Sequence, residues 1–237
     1  LILSNNTPSI INLKTTLNSK VSIILNPISW YRNIFALKEQ NAMLKETIAK
    51  LNIENKRLSV YDIENDKLKK MLDYKNKSEF KLEVANVLNH NLSPNLNSFI
   101  LDIGSNNNIN INLPVMDMRG IIGKTYIVDS DKTVIQLITD KNYRVSVRIG
   151  KNRNLGVFVP NYSRIGVIEG IPKSQEVMIG EIVLTSGISD IYPGNIPIAE
   201  VISTHIDPNE LFQNITVRIL ADIFNPDYVF IIKWLFL

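Results

Sequence analysis

The residues most capable of chemistry gather in one stretch, IVLTSGISDIYPGNIPIAEV, from Ile182 to Val201. Ser186 stands there between Thr185 and Gly187, with Asp190 and Tyr192 close behind. A serine so placed could be a nucleophile on a tight turn, which requires a base at its hydroxyl. The surroundings argue otherwise. Ser186 lacks the G-x-S-x-G of a nucleophile elbow, no helical pattern follows it, and no Ser-x-x-Lys pair suited to a Ser–Lys acyltransferase stands out. A serine flanked by Thr and Gly at the end of an apolar strand reads as a turn residue. The glycine supplies positive φ and the hydroxyls bond to nearby backbone. His90 and His205 are the two histidines, 115 residues apart, and neither has carboxylates at ligand spacing. No metal site is therefore expected, since zinc needs three or four converging ligands. Asp207 follows His205 closely, but HIDPNE reads as a turn entered through Asp207-Pro208. RGIIGK, Arg119 to Lys124, lacks the full spacing of a phosphate-binding Walker loop and no helix follows it. Gly120 and Gly123, leading into an alternating strand, read as a bulge or a tight strand entry. No cofactor is expected, and the weight shifts from catalysis to interaction.

Composition narrows the class further. The chain has 237 residues, 45% hydrophobic and 21% charged, which suits one or two globular units. The net charge of +3 is mildly basic, but Lys and Arg are spread out instead of forming a stripe, so no nucleic-acid partner is expected. There is no cysteine, which excludes disulfides, thiolate metal sites and a cysteine nucleophile. No run of eighteen apolar residues is present to span a membrane. The opening LILSNN, without an initiator Met, reads as the last turn of a removed hydrophobic anchor. The closing YVFIIKWLFL is too short to span and is interrupted by Lys233, so it reads as a final strand with an apolar tail.

The elements that would position these residues fall into two halves. All ten glycines lie between Gly104 and Gly194, and proline is absent from Ile28 to Ser93. The first part can support a long helix, and the rest must turn often. Leu37, Leu44, Leu51 and Leu58 recur every seven residues, with Ile48 between them. After Leu58 the spacing shifts, and Leu68 and Leu72 resume the stripe in the manner of a stutter. Asn41, Asn55 and Asn65 lie on or beside it, where a buried Asn fixes coiled-coil register. From about Phe35 to Tyr74 the helix would be roughly 60 Å long. So narrow a stripe favours a partner helix, with packing on the chain's own domain as the alternative. Residues 5 to 30 read as a short helix or a linker.

After Phe80 about eleven short β-rich runs follow with turns between them and no crossover helix, which indicates small barrels or a sandwich. An internal repeat supports two similar modules. Gly104 and Gly187, 83 residues apart, are each followed ten residues later by proline, within Asn112-Leu113-Pro114-Val115 and Asn195-Ile196-Pro197-Ile198. Each copy reads as strand, turn, then proline-started strand. β modules with exposed edges could recruit strands or each other.

Together the coil and the β region resemble the rod shape-determining protein MreC family over about residues 35 to 232. NSFILDIGSNNNI, with Gly104 and Ser105, resembles that family's strand and Gly-Ser turn. MRGIIGKTYIVDSDKTVIQLITD, with Gly120 and Gly123, resembles its Gly-x-x-Gly-Lys stretch. GEIVLTSGISDIYPGNIPIAEV resembles its most specific signature, with Thr185, Ser186, Gly187, Pro193, Gly194, Ile196 and Ile198 in step. Glu181 stands for the usual Asp, Tyr192 for Phe and Ala199 for Gly, and an expected glycine is replaced within Asn106-Asn107-Asn108.

The resemblance implies an α+β protein with a long N-terminal coiled-coil helix and two small all-β, barrel-like domains. Its expected organisation is a membrane-proximal linker at 1–34, a dimerisation coil at 35–78, a first barrel at 79–155 and a second at 156–237, with interleaving of the two as the alternative. The implied function is that of a non-enzymatic scaffold of bacterial cell elongation. A single N-terminal pass would anchor it in the inner membrane, with its bulk in the periplasm. It would form a homodimer through the coil and assemble further through the barrels. The implied partners are MreD, the actin-like MreB and the elongation-specific penicillin-binding transpeptidase. The alternatives are an extracellular coil-and-β stalk or adhesin, and a cell-wall enzyme.

Overall fold

The computed structural model describes the backbone of residues 8–93 and 96–233, and the side chains of residues 30–89 and 97–233. The expected anchor remnant at Leu1-Ile2-Leu3 and the tail 234–237 lie outside the described residues. The chain divides into two units, Leu1–Leu68 and Lys69–Leu237. One helix, α1 (Pro8–Lys77), runs through the first unit and ends in the second. Pro8 suits a first helical turn, where its missing N–H would have no partner anyway. Lys75 and Lys77 in the last turn oppose the negative end of the helix dipole. The expected linker 1–34 is therefore helical from Pro8 onward, and residue 35 marks no change in the backbone.

Twelve strands follow in the second unit: β1 (Leu82–Ser93), β2 (Leu96–Leu101), β3 (Pro114–Met116), β4 (Ile121–Val128), β5 (Thr133–Leu137), β6 (Val145–Ile149), β7 (Asn154–Tyr162), β8 (Ile165–Glu169), β9 (Ile182–Thr185), β10 (Pro197–His205), β11 (Asn214–Ile219) and β12 (Tyr228–Ile232). Each of the eleven expected runs holds a strand, and β3 adds a three-residue one. They close into two six-stranded barrels, in the orders β1-β12-β3-β4-β5-β2 and β10-β11-β8-β7-β6-β9.

Alternation builds each interior. On β11, Ile215, Val217 and Ile219 are buried while Asn214, Thr216 and Arg218 are half-buried or exposed. The first barrel packs Phe99, Leu101, Ile135, Val229 and Ile231 in the same way, each worth about 1.5–3 kcal/mol of burial. The last turns of α1 dock on this barrel: Met71 is buried, and the Tyr74 ring stacks on Phe230 with centroids 5.3 Å apart.

Two expectations are corrected. The boundary at 155/156 falls inside β7, because the chain leaves the first barrel after β5, completes the second with β6 to β11, and returns to the first as β12. The second barrel is thus an insertion in the first. Exposed sheet edges are also fewer than expected among the described residues. Closure gives every strand two neighbours, and what remains one-sided is the end of a strand that overruns a partner, such as Ser203, Thr204 and His205 of β10, which pair with β11 and not with β9.

Candidate functional site

Ser186 is buried, its Oγ accepts a hydrogen bond from the Ile188 N–H (3.2 Å), and its own N–H donates to the Ser146 carbonyl (3.0 Å). The hydroxyl therefore closes a turn. Gly187 holds φ at +77°, the left-handed region that favours glycine. His205 is exposed at the end of β10, and the His90 side chain lies outside the described residues. Among the described residues no His, Asp and Glu side chains converge as a metal site would require.

The chemistry of the signature stretch lies in Thr185. Its Oγ1 donates to the Pro193 carbonyl (2.6 Å) and accepts from the Ile196 N–H (2.9 Å), while its backbone bonds Ile196 and Asn195. Asn195 sits at φ +70°, and Pro197 then opens β10. The first barrel contains the same unit. Thr125 Oγ1 donates to the Asn110 carbonyl (2.7 Å) and accepts from the Leu113 N–H (2.8 Å). Its backbone bonds Leu113 and Asn112, Asn112 sits at φ +61°, and Pro114 opens β3. Both threonines are fully buried; the groups that Thr185 satisfies are buried with it, and those that Thr125 satisfies are part-buried. The repeated Asn-x-Pro is thus a repeated hydrogen-bond unit.

The glycines paired by the repeat are not equivalent. Gly104 is extended (φ −147°), and it is small because a Cβ there would stand 2.3 Å from the Asp129 carbonyl oxygen. The left-handed position after it is Asn108, at φ +57°. Ser105 donates its N–H to Asp129 O (2.8 Å), which ties that turn to the β4–β5 hairpin. Gly123 pairs with Val115 and Ile121 with Met116, so Ile122 forms a bulge between the two glycines of RGIIGK. A Cβ on Gly120 would stand 2.5 Å from the Pro197 carbonyl, so this glycine lets the two barrels meet.

That meeting point is polar and well satisfied. Asp117 Oδ1 accepts the N–H groups of Arg119 (2.8 Å) and Gly120 (2.9 Å). Its Oδ2 accepts the N–H of Asp222 (2.8 Å), on the connection from β11 back to β12. Arg119 bridges Asp117 (3.3 Å) and Asp222 (3.2 Å). Burial raises the Asp222 pKa, but the N–H groups of Phe224 and Asn225 and the charge of Arg119 outweigh it and hold the carboxyl below its ordinary value. Nearby, the buried hydroxyls of Tyr143 and Tyr192 share a hydrogen bond of 2.6 Å. Burial raises both pKa values, so the pair is neutral. Tyr143 explains how the chain accommodates Tyr192 where the resemblance implies Phe: each hydroxyl answers the other.

On α1, Leu37, Leu44, Ile48, Leu51, Leu58 and Leu72 are each more than half exposed, and Asn41, Asn55 and Asn65 are exposed beside them. Leu68 is 40% exposed. Because α1 is continuous, two heptads separate Leu58 from Leu72 with Asn65 midway, so Leu72 keeps the phase of the first four leucines, and Leu68 stands four residues before it on the same face. Glu46 and Lys50 pair on the surface at 2.7 Å. The repeat located Asn112 as the copy of Asn195, but sequence reasoning passed over Thr125, Tyr143 and Arg148. Arg148 had no usable signal.

Among the described residues no helix is long and apolar enough to cross a membrane. The profile of the rod shape-determining protein MreC barrel core matches residues 87–233, from within β1 through β12. The cell shape-determining protein MreC of Escherichia coli (strain K12) is 22% identical over 197 residues, covering 83% of this chain and 54% of that one. The chain thus spans about half the length of that relative. A solved structure named MreC superposes with a TM-score of 0.68 at 19% identity, over 73% of this chain and 98% of the other. The complex between penicillin-binding protein PBP2 and MreC from Helicobacter pylori gives a TM-score of 0.51 at 20% identity, over 64% of this chain and 98% of the other. At these identities the two solved structures show the shared fold.

Proposed function

The chain belongs to the rod shape-determining protein MreC family, and on that premise we propose that it is a non-enzymatic scaffold of bacterial cell elongation. The observation that carries the reading is the pairing of an exposed leucine seam on α1 with two closed barrels. The seam supplies a surface for a second copy of the helix, and the barrels supply rigid faces for other partners. The scaffold is anchored in the inner membrane by a segment before α1, carries its barrels on the periplasmic side, and works with MreD and MreB. Its enzyme partner is a penicillin-binding transpeptidase, which it positions and activates. The solved complex of PBP2 with a family member supports that choice. The turn role of Ser186 favours the scaffold over a wall hydrolase.

Affinity capture of the membrane-anchored protein from detergent-solubilised membranes, read by mass spectrometry, tests this. Recovery of a penicillin-binding transpeptidase with MreD or MreB is expected. Recovery of surface proteins or wall fragments alone would overturn it. Dimerisation has its own test: Leu44→Pro breaks α1 at the seam and should halve the mass measured by light scattering while the β circular-dichroism signal persists. An unchanged mass would move the dimer contact off the coil.

A further inference from the structure

Arg148 is 8% exposed although β6 turns it away from the second barrel's interior, where its neighbours Val147 and Ile149 are buried. Its ladder partners are Leu155 on β7 and Leu184 on β9. Its Nη2 donates to the side-chain oxygen of Asn195, and Gly194 makes room for it, since a Cβ there would stand 3.0 Å from that nitrogen. Among the described residues no carboxylate pairs with Arg148. A buried guanidinium ordinarily has a counter-charge, and this one has a neutral amide.

Arg148 instead faces a groove of about 340 Å³ that it lines with Lys151, Arg153, Glu181, Ile182 and Leu184. Lys151 and Arg153 lie on the β6–β7 hairpin, both exposed and neither in an ion pair. The Glu181 carboxylate is already engaged: its Oε2 accepts the Met178 N–H (3.2 Å). Three cations and one occupied carboxylate leave an excess of two positive charges around one concavity.

We propose that this groove is an oxyanion site that takes a phosphate group. A phosphate monoester carries close to two negative charges at neutral pH, which matches the excess. Guanidinium and ammonium groups are its usual donors, and the fixed, water-shielded fork of Arg148 provides the directional contact. The groove is larger than a phosphate, and Ile182 and Leu184 give an apolar wall to whatever carries it. The phosphate comes either from a soluble ester or from a lipid headgroup. This site is independent of the scaffold reading, because transpeptidase capture neither requires it nor reports on it.

Isothermal titration of the full chain with glycerol 3-phosphate at fixed ionic strength, beside sedimentation with phosphatidic acid or phosphatidylcholine vesicles, tests the proposal. Saturable binding is expected, weakened at least about tenfold in Lys151→Ala/Arg153→Ala, whose exposed side chains leave the melting temperature unchanged. Arg148→Gln should weaken it similarly. Should that variant fail to fold, the double variant still decides. Binding of glycerol 3-phosphate with sedimentation on phosphatidic acid alone assigns a headgroup, and without sedimentation it assigns a soluble ester. No saturable binding, equal heats from acetate, or unaltered affinity in the double variant would overturn the site.

Discussion

In the first barrel, Thr125 reaches its turn from β4, the strand that follows the proline-started strand. In the second, Thr185 reaches the matching turn from β9, the strand that precedes it. Chain order differs, yet the same donors and acceptors meet at nearly the same distances. The unit therefore answers to strand pairing and not to connectivity. A threonine on the neighbouring strand, a left-handed Asn and a proline that needs no ladder donor suffice wherever two strands can be brought side by side. The glycines of the repeat teach the opposite lesson. Gly104 is fixed by the closeness of the Asp129 carbonyl, and Gly187 by its own φ of +77°.

That contrast can be broken by mutation. Gly104→Val drives a side chain into two backbone carbonyls and should cost about 4 kcal/mol or more, losing the first barrel. Gly187→Val meets its nearest atom at 3.0 Å and pays mainly for positive φ, about 1–3 kcal/mol. Denaturant melts of both variants decide. Equal losses would mean that the two turns share one constraint after all.

The threonine units should respond in proportion to their burial. Thr125→Val and Thr185→Val keep shape and remove two hydrogen bonds each, but the partners of Thr185 are buried and those of Thr125 are part-buried. Thr185→Val should cost about 2–3 kcal/mol and Thr125→Val about 1–2 kcal/mol, because water can answer the groups that Thr125 leaves. A larger loss at Thr125 in denaturant melts would break that ranking.

The tyrosine pair joins elements of different origin, the β5–β6 connection and the β9–β10 loop. Tyr192→Phe installs the residue that the resemblance implies, yet it strands the Tyr143 hydroxyl and should cost about 1–2 kcal/mol. Tyr143→Phe should cost the same, and the double variant should recover most of it. Additive losses in the thermal melts would deny the coupling.

Much of this was legible in the sequence. Glycine and proline placement separated helix from barrels, and the Asn-x-Pro repeat located the matching turns. What escaped depends on contacts across the chain. Nothing near Thr125 says that its hydroxyl closes a turn twelve or more residues back. β3 is three residues long, too short to show alternation. The insertion of one barrel in the other hides because β12 reads like any final strand, and only its pairing with β1 and β3 reveals the return. Arg148 looks like a surface cation on an alternating strand. Its burial comes from Leu155 and Leu184, which reach it through strand pairing.

The junction between the barrels should differ from both interiors in being sensitive to acid. The Asp222 carboxyl titrates below its ordinary value of 3.8 in the folded chain. The unfolded chain therefore takes up its proton first as pH falls. Its stabilising contribution is fully present well above 3.8 and is lost as pH drops through the lower folded value. The side chain is 43% exposed, so water screens the Arg119 contact and the contribution should be only about 0.5 kcal/mol. Asp222→Asn should thus lower the melting temperature slightly at about pH 6, and the deficit should shrink as pH falls below 3.8. A deficit that stays constant on acidification would mean that the Asn distorts the Asp117 contact to the chain, so that geometry and not charge holds the returning connection in place.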